Sequence, residues 1–243
     1  METIIDIPER LYDRVSSIEH LNFLLRYPKT YVMDNHLAAG WSWLQELNSD
    51  SSYCFFHVDQ HKDLADGGLL DNYVHLRENP HVSIEEYTAL EYYNGITKSK
   101  VIRWDTYIKQ VQHLFPNWFT KCFFACPDIV DDPKRYTDIP LNIQYNANPF
   151  ELYNNVSFWV RDEREEFIFN LDIDYFFDNE GMRIFSDDYI RTFAKDLNKA
   201  MEKIAVLTIA LSPECCGGWN NSVAVYNLIA EEIDAIDENP LDY

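Results

Sequence analysis

The segment His57-Val58-Asp59-Gln60-His61-Lys62-Asp63 spaces Asp59, His61 and Asp63 at a period of two, directly after the apolar run Tyr53-Cys54-Phe55-Phe56. On an extended chain, residues two apart share a side, so two carboxylates and an imidazole are expected to converge at the end of a strand. Polar alternation alone also describes an exposed strand face, and three further groups decide against that reading. His36 follows the apolar run Tyr31-Val32-Met33, Asp172-x-Asp174 follows Phe167-Ile168-Phe169-Asn170-Leu171, and Glu214 follows Ala205 to Leu211. In open α/β sheets, ligands bind beyond the carboxyl ends of the strands, so four segments are expected to deliver polar groups to one edge.

Asp59, Asp63, Asp172 and Asp174 would bring four negative charges together, and uncompensated clustering would raise their pKa values sharply. Two divalent cations remove that conflict, and a carboxylate and imidazole donor set with His36 and His61 suits manganese better than a thiol-seeking metal. A binuclear centre lowers the pKa of water and stabilises negative charge on a reacting group, which points to hydrolysis. The competing expectations are a solvated turn at Asp172 and Asp174, and helix initiation at Ser212-Pro213-Glu214.

The elements that must carry these residues read as alternating strands and helices. Strands are expected at Tyr31 to Met33, Tyr53 to Phe56, Lys121 to Ala125, Phe167 to Leu171 and Ala205 to Leu211. Helices are expected at Leu37 to Leu47, Ile84 to Tyr93, Trp104 to Leu114, Asp187 to Lys203 with Ser186 as N-cap, and Ser222 to Ile233. Asp131 to Asn148, with three prolines, is expected to be irregular or an extra hairpin. The fold class that follows is α/β: a single domain over residues 1–243 with a mainly parallel sheet flanked by helices, and a segment 1–29 of unassigned role.

The 243 residues can bury a substantial core, and 47% hydrophobic content argues for an ordered globule. Twenty Lys and Arg against 41 Asp and Glu give a net charge of −21, which disfavours nucleic acid and anionic membranes and favours cationic partners. The N-terminus does not resemble a signal peptide and no apolar run reaches membrane-spanning length, so a cytoplasmic location is expected. Five cysteines lack a disulfide framework. Cys122 and Cys126 have no second Cys/His pair nearby to complete a zinc site, and Cys54 lies inside an apolar strand, so all three read as reduced core residues.

The ordered motifs resemble the arginase and deacetylase superfamily, specifically its ureohydrolase branch. In that family a histidine follows an early strand, then come Asp-x-His-x-Asp, Asp-x-Asp and a late glutamate. His36, Asp59/His61/Asp63, Asp172/Asp174 and Glu214 are similar in order and interval. The resemblance implies one manganese ion on His36, Asp59, Asp63 and Asp172 and a second on His61, Asp59, Asp172 and Asp174. Glu214 would hold a guanidinium through charge-assisted hydrogen bonds. His75 would stand near the family's proton-shuttling histidine, and Asp63 would relay a proton. His57 would play a supporting part, and Asp34 would orient His36.

The phrases Phe56 to Leu64, Leu171 to Phe176 and Ile209 to Glu214 look like the peptide arginases. These convert arginine side chains in ribosomal precursor peptides to ornithine, releasing urea. Leu64 to Asp71 lacks the polar loop with which arginases grip free arginine, so an arginine-containing precursor peptide is the expected partner. Trp41, Trp43 and Trp219 are expected in the core, with a peptide groove as the other possibility. The alternatives are a deacetylase or amidohydrolase on the same fold, for which the chain lacks a His-His pair, and a non-catalytic metal-stabilised binding protein.

Overall fold

The computed structural model describes residues 1–65, 68–127 and 143–241. Ten strands and six α-helices are found among them: β1 (Glu2–Ile5), β2 (Leu24–Tyr27), β3 (Thr30–Met33), α1 (Ala39–Glu46), β4 (Tyr53–Val58), α2 (Ile84–Thr88), β5 (Glu91–Asn94), β6 (Thr97–Lys100), α3 (Tyr107–Leu114), β7 (Cys122–Ala125), β8 (Ile143–Asn146), α4 (Pro149–Asp162), β9 (Glu166–Asp172), α5 (Asp187–Ala200), β10 (Ile204–Ala210) and α6 (Trp219–Ala230). Eight strands form one sheet in the order β1-β2-β3-β10-β9-β4-β7-β8. From β3 to β8 neighbouring strands run parallel, and β1 and β2 add an antiparallel edge. The molecule is therefore a mainly parallel α/β unit, and part of the 1–29 segment supplies its edge strands.

Strand residues alternate between two cores, as a sheet buried on both faces requires. Cys54, Phe56 and Val58 of β4, with Phe167, Phe169 and Leu171 of β9, face a core completed by Val156 of α4, Phe193 of α5 and Tyr226 of α6. Phe55 of β4 and Ile168 of β9 face the opposite core, with Trp43 of α1 and Val111 of α3. Five parallel strands coincide with the apolar runs of the sequence, and helices cover both faces.

Three expectations need amendment. The helix expected over Ile84 to Tyr93 ends at Thr88, and Glu91–Asn94 instead pairs with Thr97–Lys100 in a separate hairpin. The aromatic pair Tyr92-Tyr93 favours extended backbone, and Gly95 turns the chain at φ 71°. Helix α4 was not anticipated, although Asn148 caps it through Phe150 N and Pro149 occupies its first turn. Of the stretch Asp131 to Asn148, residues 131–142 lie outside the described residues, while Ile143–Asn146 is a sheet strand. Ser186 caps α5 as expected, accepting from Tyr189 N.

Candidate metal centre

The strand ends bring the sequence motifs to one edge of the sheet. Asp59 follows the last residue of β4, Asp172 closes β9, His36 opens a single 3-10 turn after β3, and Ser212 and Glu214 follow β10. The chain from Asp59 onward is not extended. Asp59 Oδ1 accepts from His61 N at 2.5 Å, and Asp63 adopts a left-handed φ of 51°. This tight bend splits the motif: Asp63 turns toward His36, and His61 toward Asp174. Convergence therefore comes from a bent loop, not from the shared side of a strand.

His36 Nδ1 lies 3.0 Å from Asp63 Oδ2, 3.4 Å from Asp172 Oδ2 and 3.5 Å from Asp59 Oδ2. His61 Nδ1 lies 2.9 Å from Asp174 Oδ2 and 3.5 Å from Asp59 Oδ1. At this cluster, donor atoms within 4.8 Å of one another form three groups: His36, Asp59 and Asp63; Asp59, Asp172 and Asp174; and His61, Asp174 and Cys215. All six histidine and aspartate residues of the expected ligand set are thus brought together, with Asp59 and Asp174 each in two groups.

Electrostatics mark the cluster as unfinished without a cation. Burial and the charges of Asp63, Asp174 and Asp172 push the Asp59 pKa well above the usual carboxylate range, and burial with Asp174 does the same to Asp172. The Asp174 hydrogen bond holds His61 up at about 9. Asp59 Oδ2 is buried and has no hydrogen-bond partner, in a side chain only 1% exposed. An orphaned buried acceptor costs about 1–3 kcal/mol, and more when charged. A divalent cation would satisfy it and offset the carboxylate repulsion, so the donor set fits one.

The supporting residues were hidden inside apolar runs. His57, Asn170 and Thr208 lie on neighbouring strands in direct register, forming a polar row across the sheet beneath the cluster. His57 Nε2 stands 3.1 Å from the His61 carbonyl oxygen, which can only accept, so Nε2 carries the proton and Nδ1 accepts from Asn170 Nδ2 at 2.9 Å. Burial lowers the His57 pKa, keeping the ring neutral. Asn170 Nδ2 is also 3.2 Å from His36 Nε2 and 3.0 Å from Tyr107 Oη, and its Oδ1 accepts from Thr208 at 2.7 Å. Ser212, at φ 42°, donates its hydroxyl to Asp172 Oδ2 at 2.7 Å. The lone polar residue in Phe-Ile-Phe-Asn-Leu was the available signal for Asn170.

Asp34 does not orient His36. Its carboxylate accepts from Asn22 N at 2.8 Å and Asn22 Nδ2 at 2.7 Å, holding the segment before β2, while Asn170 Nδ2 meets His36 Nε2. His75 lies exposed on a 3-10 turn, Val74–Arg77, and is not among the residues that line the pocket over the cluster. Trp41, Trp43 and Trp219 are buried, with indole N–H groups directed to Val82 O, Thr208 Oγ1 and Arg14 O. Cys54, Cys122 and Cys126 are buried and form no disulfide.

A pocket of about 460 Å³ opens onto the cluster, its wall including Trp104, Asp105, Glu214 and Cys215. Trp104 is the aromatic wall that the sequence reading missed. Glu214 stays exposed at the rim, yet the protein crowded around it and the Asp34 charge raise its pKa to about 7. Its loop is pinned by Gly181 and Gly217, where a Cβ on Gly181 would meet Gly217 N at 2.5 Å. Asp105 is held by a bidentate pair with Arg103 at 2.8 and 3.0 Å, and its carbonyl accepts from Ala65 N. Within the Leu64 to Asp71 segment, Asp66 and Gly67 lie outside the described residues.

No family model matches the chain, and no curated protein matches its sequence. Among solved structures it is similar to the agmatine ureohydrolase of Thermoplasma volcanium, with a TM-score of 0.47 and 13% identity over 85% of this chain. The chain spans 61% of the length of that protein. At that distance, the chemistry has to come from the site's own residues. No helix among the described residues is long and apolar enough to cross a membrane.

Proposed function

We propose that the protein is a binuclear manganese hydrolase that cleaves the guanidinium group of arginine side chains in a peptide, leaving ornithine and releasing urea. The observation that carries this reading is the convergence of His36, Asp59, His61, Asp63, Asp172 and Asp174 around an orphaned buried carboxylate oxygen, at the floor of a pocket rimmed by Glu214. His36, Asp59, Asp63 and Asp172 would hold one ion, and His61, Asp59, Asp172 and Asp174 the other. Bound there, the ions would supply water of lowered pKa and a positive field at the floor of the pocket.

The chain's own groups do the rest. The Glu214 carboxylate at the rim can accept paired N–H donors from a guanidinium, and the cation in turn favours the ionised form of an acid whose pKa otherwise stands near 7. Asp63, 3.0 Å from His36 and facing the pocket, would carry a proton to the departing amine. Ser212 and Asn170 fix the acceptors and the imidazole beneath. An open pocket on a chain of net charge −21 suits a cationic side chain presented by a peptide. The pocket wall among the described residues contains no tyrosine, the group a deacetylase would use to stabilise an oxyanion.

The test is incubation of manganese-loaded protein with arginine-containing peptides and, separately, with free arginine, reading urea and peptide mass. Urea release with the mass loss of an arginine-to-ornithine change in the peptide is the expected outcome. Turnover of free arginine alone would refute the peptide substrate, and metal binding without urea from any guanidine would refute the activity.

A further inference from the structure

The third donor group at the site contains a sulfur that the proposed manganese ligands leave unused. Cys215 Sγ lies within 4.8 Å of donor atoms on both His61 and Asp174, whose own Nδ1 and Oδ2 are 2.9 Å apart. Bonds of about 2.0–2.3 Å to one cation hold donors within about 4.6 Å of one another, so a group this compact can close on an ion through small side-chain shifts. The thiol is also where a ligand must be: half-buried, in the pocket wall, and free of any disulfide. Its backbone is set by a turn in which Cys215 N donates to Ser212 O at 3.0 Å. The strained Ser212 that forms this turn also holds Asp172 through its hydroxyl. The adjacent Cys216 points away, buried, with Sγ directed at Leu211 O at 3.4 Å.

The opposite end of the cluster offers only imidazole nitrogen and carboxylate oxygen, from His36, Asp59 and Asp63. The two ends thus differ in softness. Thiolate donors draw ions such as Zn²⁺ and Co²⁺, whereas an oxygen-rich set with one imidazole accommodates Mn²⁺. Asp59 Oδ2, buried and without a hydrogen bond, lies on the oxygen-rich side, and Asp174 links the sulfur group to the central carboxylates.

We propose that Cys215 is a thiolate ligand, together with His61 and Asp174, of one of the two metal positions, and that this position therefore selects a softer divalent ion than the position built from His36, Asp59 and Asp63. On binding, the Sγ–H bond breaks, its proton leaves to bulk water, and an Sγ–metal bond forms; no electrons are transferred. The inference rests on the binuclear reading above and changes the ion expected at one of its two positions.

The experiment is Co²⁺ loading of the full chain, with ion stoichiometry from equilibrium dialysis and a near-ultraviolet absorption spectrum. The wild type is expected to bind two ions and to show a sulfur-to-cobalt charge-transfer band. Cys215→Ser is expected to keep its fold by circular dichroism, lose the band, and weaken Zn²⁺ relative to Mn²⁺ by about tenfold or more. Cys216→Ser should keep the band. Two bound ions without a charge-transfer band, or a band that survives Cys215→Ser, would overturn the proposal while leaving the binuclear centre intact. Failure to bind any ion would instead overturn both. Should Cys215→Ser misfold, protection of the wild-type Cys215 from alkylation by Co²⁺, located by peptide mass, decides the same point.

Discussion

The two ends of the cluster live in different solvents. His36, Asp59 and Asp63 are buried at the pocket floor, packed beside Tyr107 and above the polar row of His57, Asn170 and Thr208, with His36 only 2% exposed. His61, by contrast, has a side chain 44% exposed and shares the pocket wall with Cys215 and Glu214. The inner end is held by hydrogen bonds from three strands and can be rigid, while the outer end hangs on loops that follow β4 and β10. A charge in the inner end is costly to leave unpaired; a group at the outer end can exchange with water and substrate. Structure and chemistry are thus divided between them, and in the binuclear arrangement proposed above Asp172 with Asp59 would join the halves.

The severest break in that division comes from removing the junction. Asp172→Asn should abolish urea release and lower occupancy at both ends, measured as metal per chain after dialysis. Retention of two ions would show that Asp172 joins nothing. The same variant should unfold at a higher temperature than stripped wild type near pH 8, because it relieves the repulsion that raises the Asp59 and Asp172 pKa values. A residue that destabilises the empty protein and organises the loaded one is what a metal site predicts.

Glu214→Gln acts on the outer end alone. It removes a charged acceptor worth about 1.5–3 kcal/mol to a guanidinium, or roughly ten- to a hundredfold in kcat/KM, and should leave both ions in place. Undiminished turnover would remove Glu214 from substrate binding. Loss of metal would show that the two ends are not separable in this way.

Stripping the metal should matter more as pH rises. Asp59 and Asp172 have folded pKa values above the unfolded value, so the stability of the empty protein is greatest in acid and declines as these acids ionise. His61, held up at about 9, and His36, raised on balance by Asp172 and Asp63 against the pull of burial, favour the folded state below about 6.5 and lose that contribution as pH climbs through their folded values. Metal binding has the opposite slope, since it displaces protons. The difference in Tm between loaded and chelator-treated protein should therefore widen from pH 6.5 to 9. His57, with its lowered pKa, costs the folded state stability only as pH falls below about 6.5, outside that window. A constant or shrinking gap, followed by thermal melts in matched buffers, would argue against ion binding by these groups.

How much of this was legible in the sequence also divides along the two ends. The buried parallel strands announce themselves as apolar runs, because both faces of each strand are covered. The carboxylates after them stand out because nothing apolar explains two acids following Phe-Ile-Phe-Asn-Leu. Asn170 and Thr208 did not stand out, since one polar residue in a strand has no visible partner until the register aligns it with His57. The bend at Asp63 was equally hidden, being a left-handed conformation at a residue that is not glycine. The edge strands β1 and β2 are short and carry little periodic signal. Helix α4 had its cap and its proline in plain view, but its polar surface masked the buried stripe of Leu152, Val156 and Val160.

His75 gives the mildest and cleanest test of the boundary. Resemblance places a proton-shuttling histidine near this position, twelve residues beyond Asp63, whereas the fold sets it on an exposed turn away from the pocket wall. Proton transfer requires hydrogen-bond reach or a single intervening water, so distance from the pocket is decisive where sequence interval is not. His75→Ala should change kcat/KM by less than about twofold, in line with substitution of an exposed residue away from the chemistry. The pH profile of kcat should also keep its shape. A loss of tenfold or more, with its alkaline or acid limb displaced, would bring the 3-10 turn into the active site during turnover and extend the outer end well past His61.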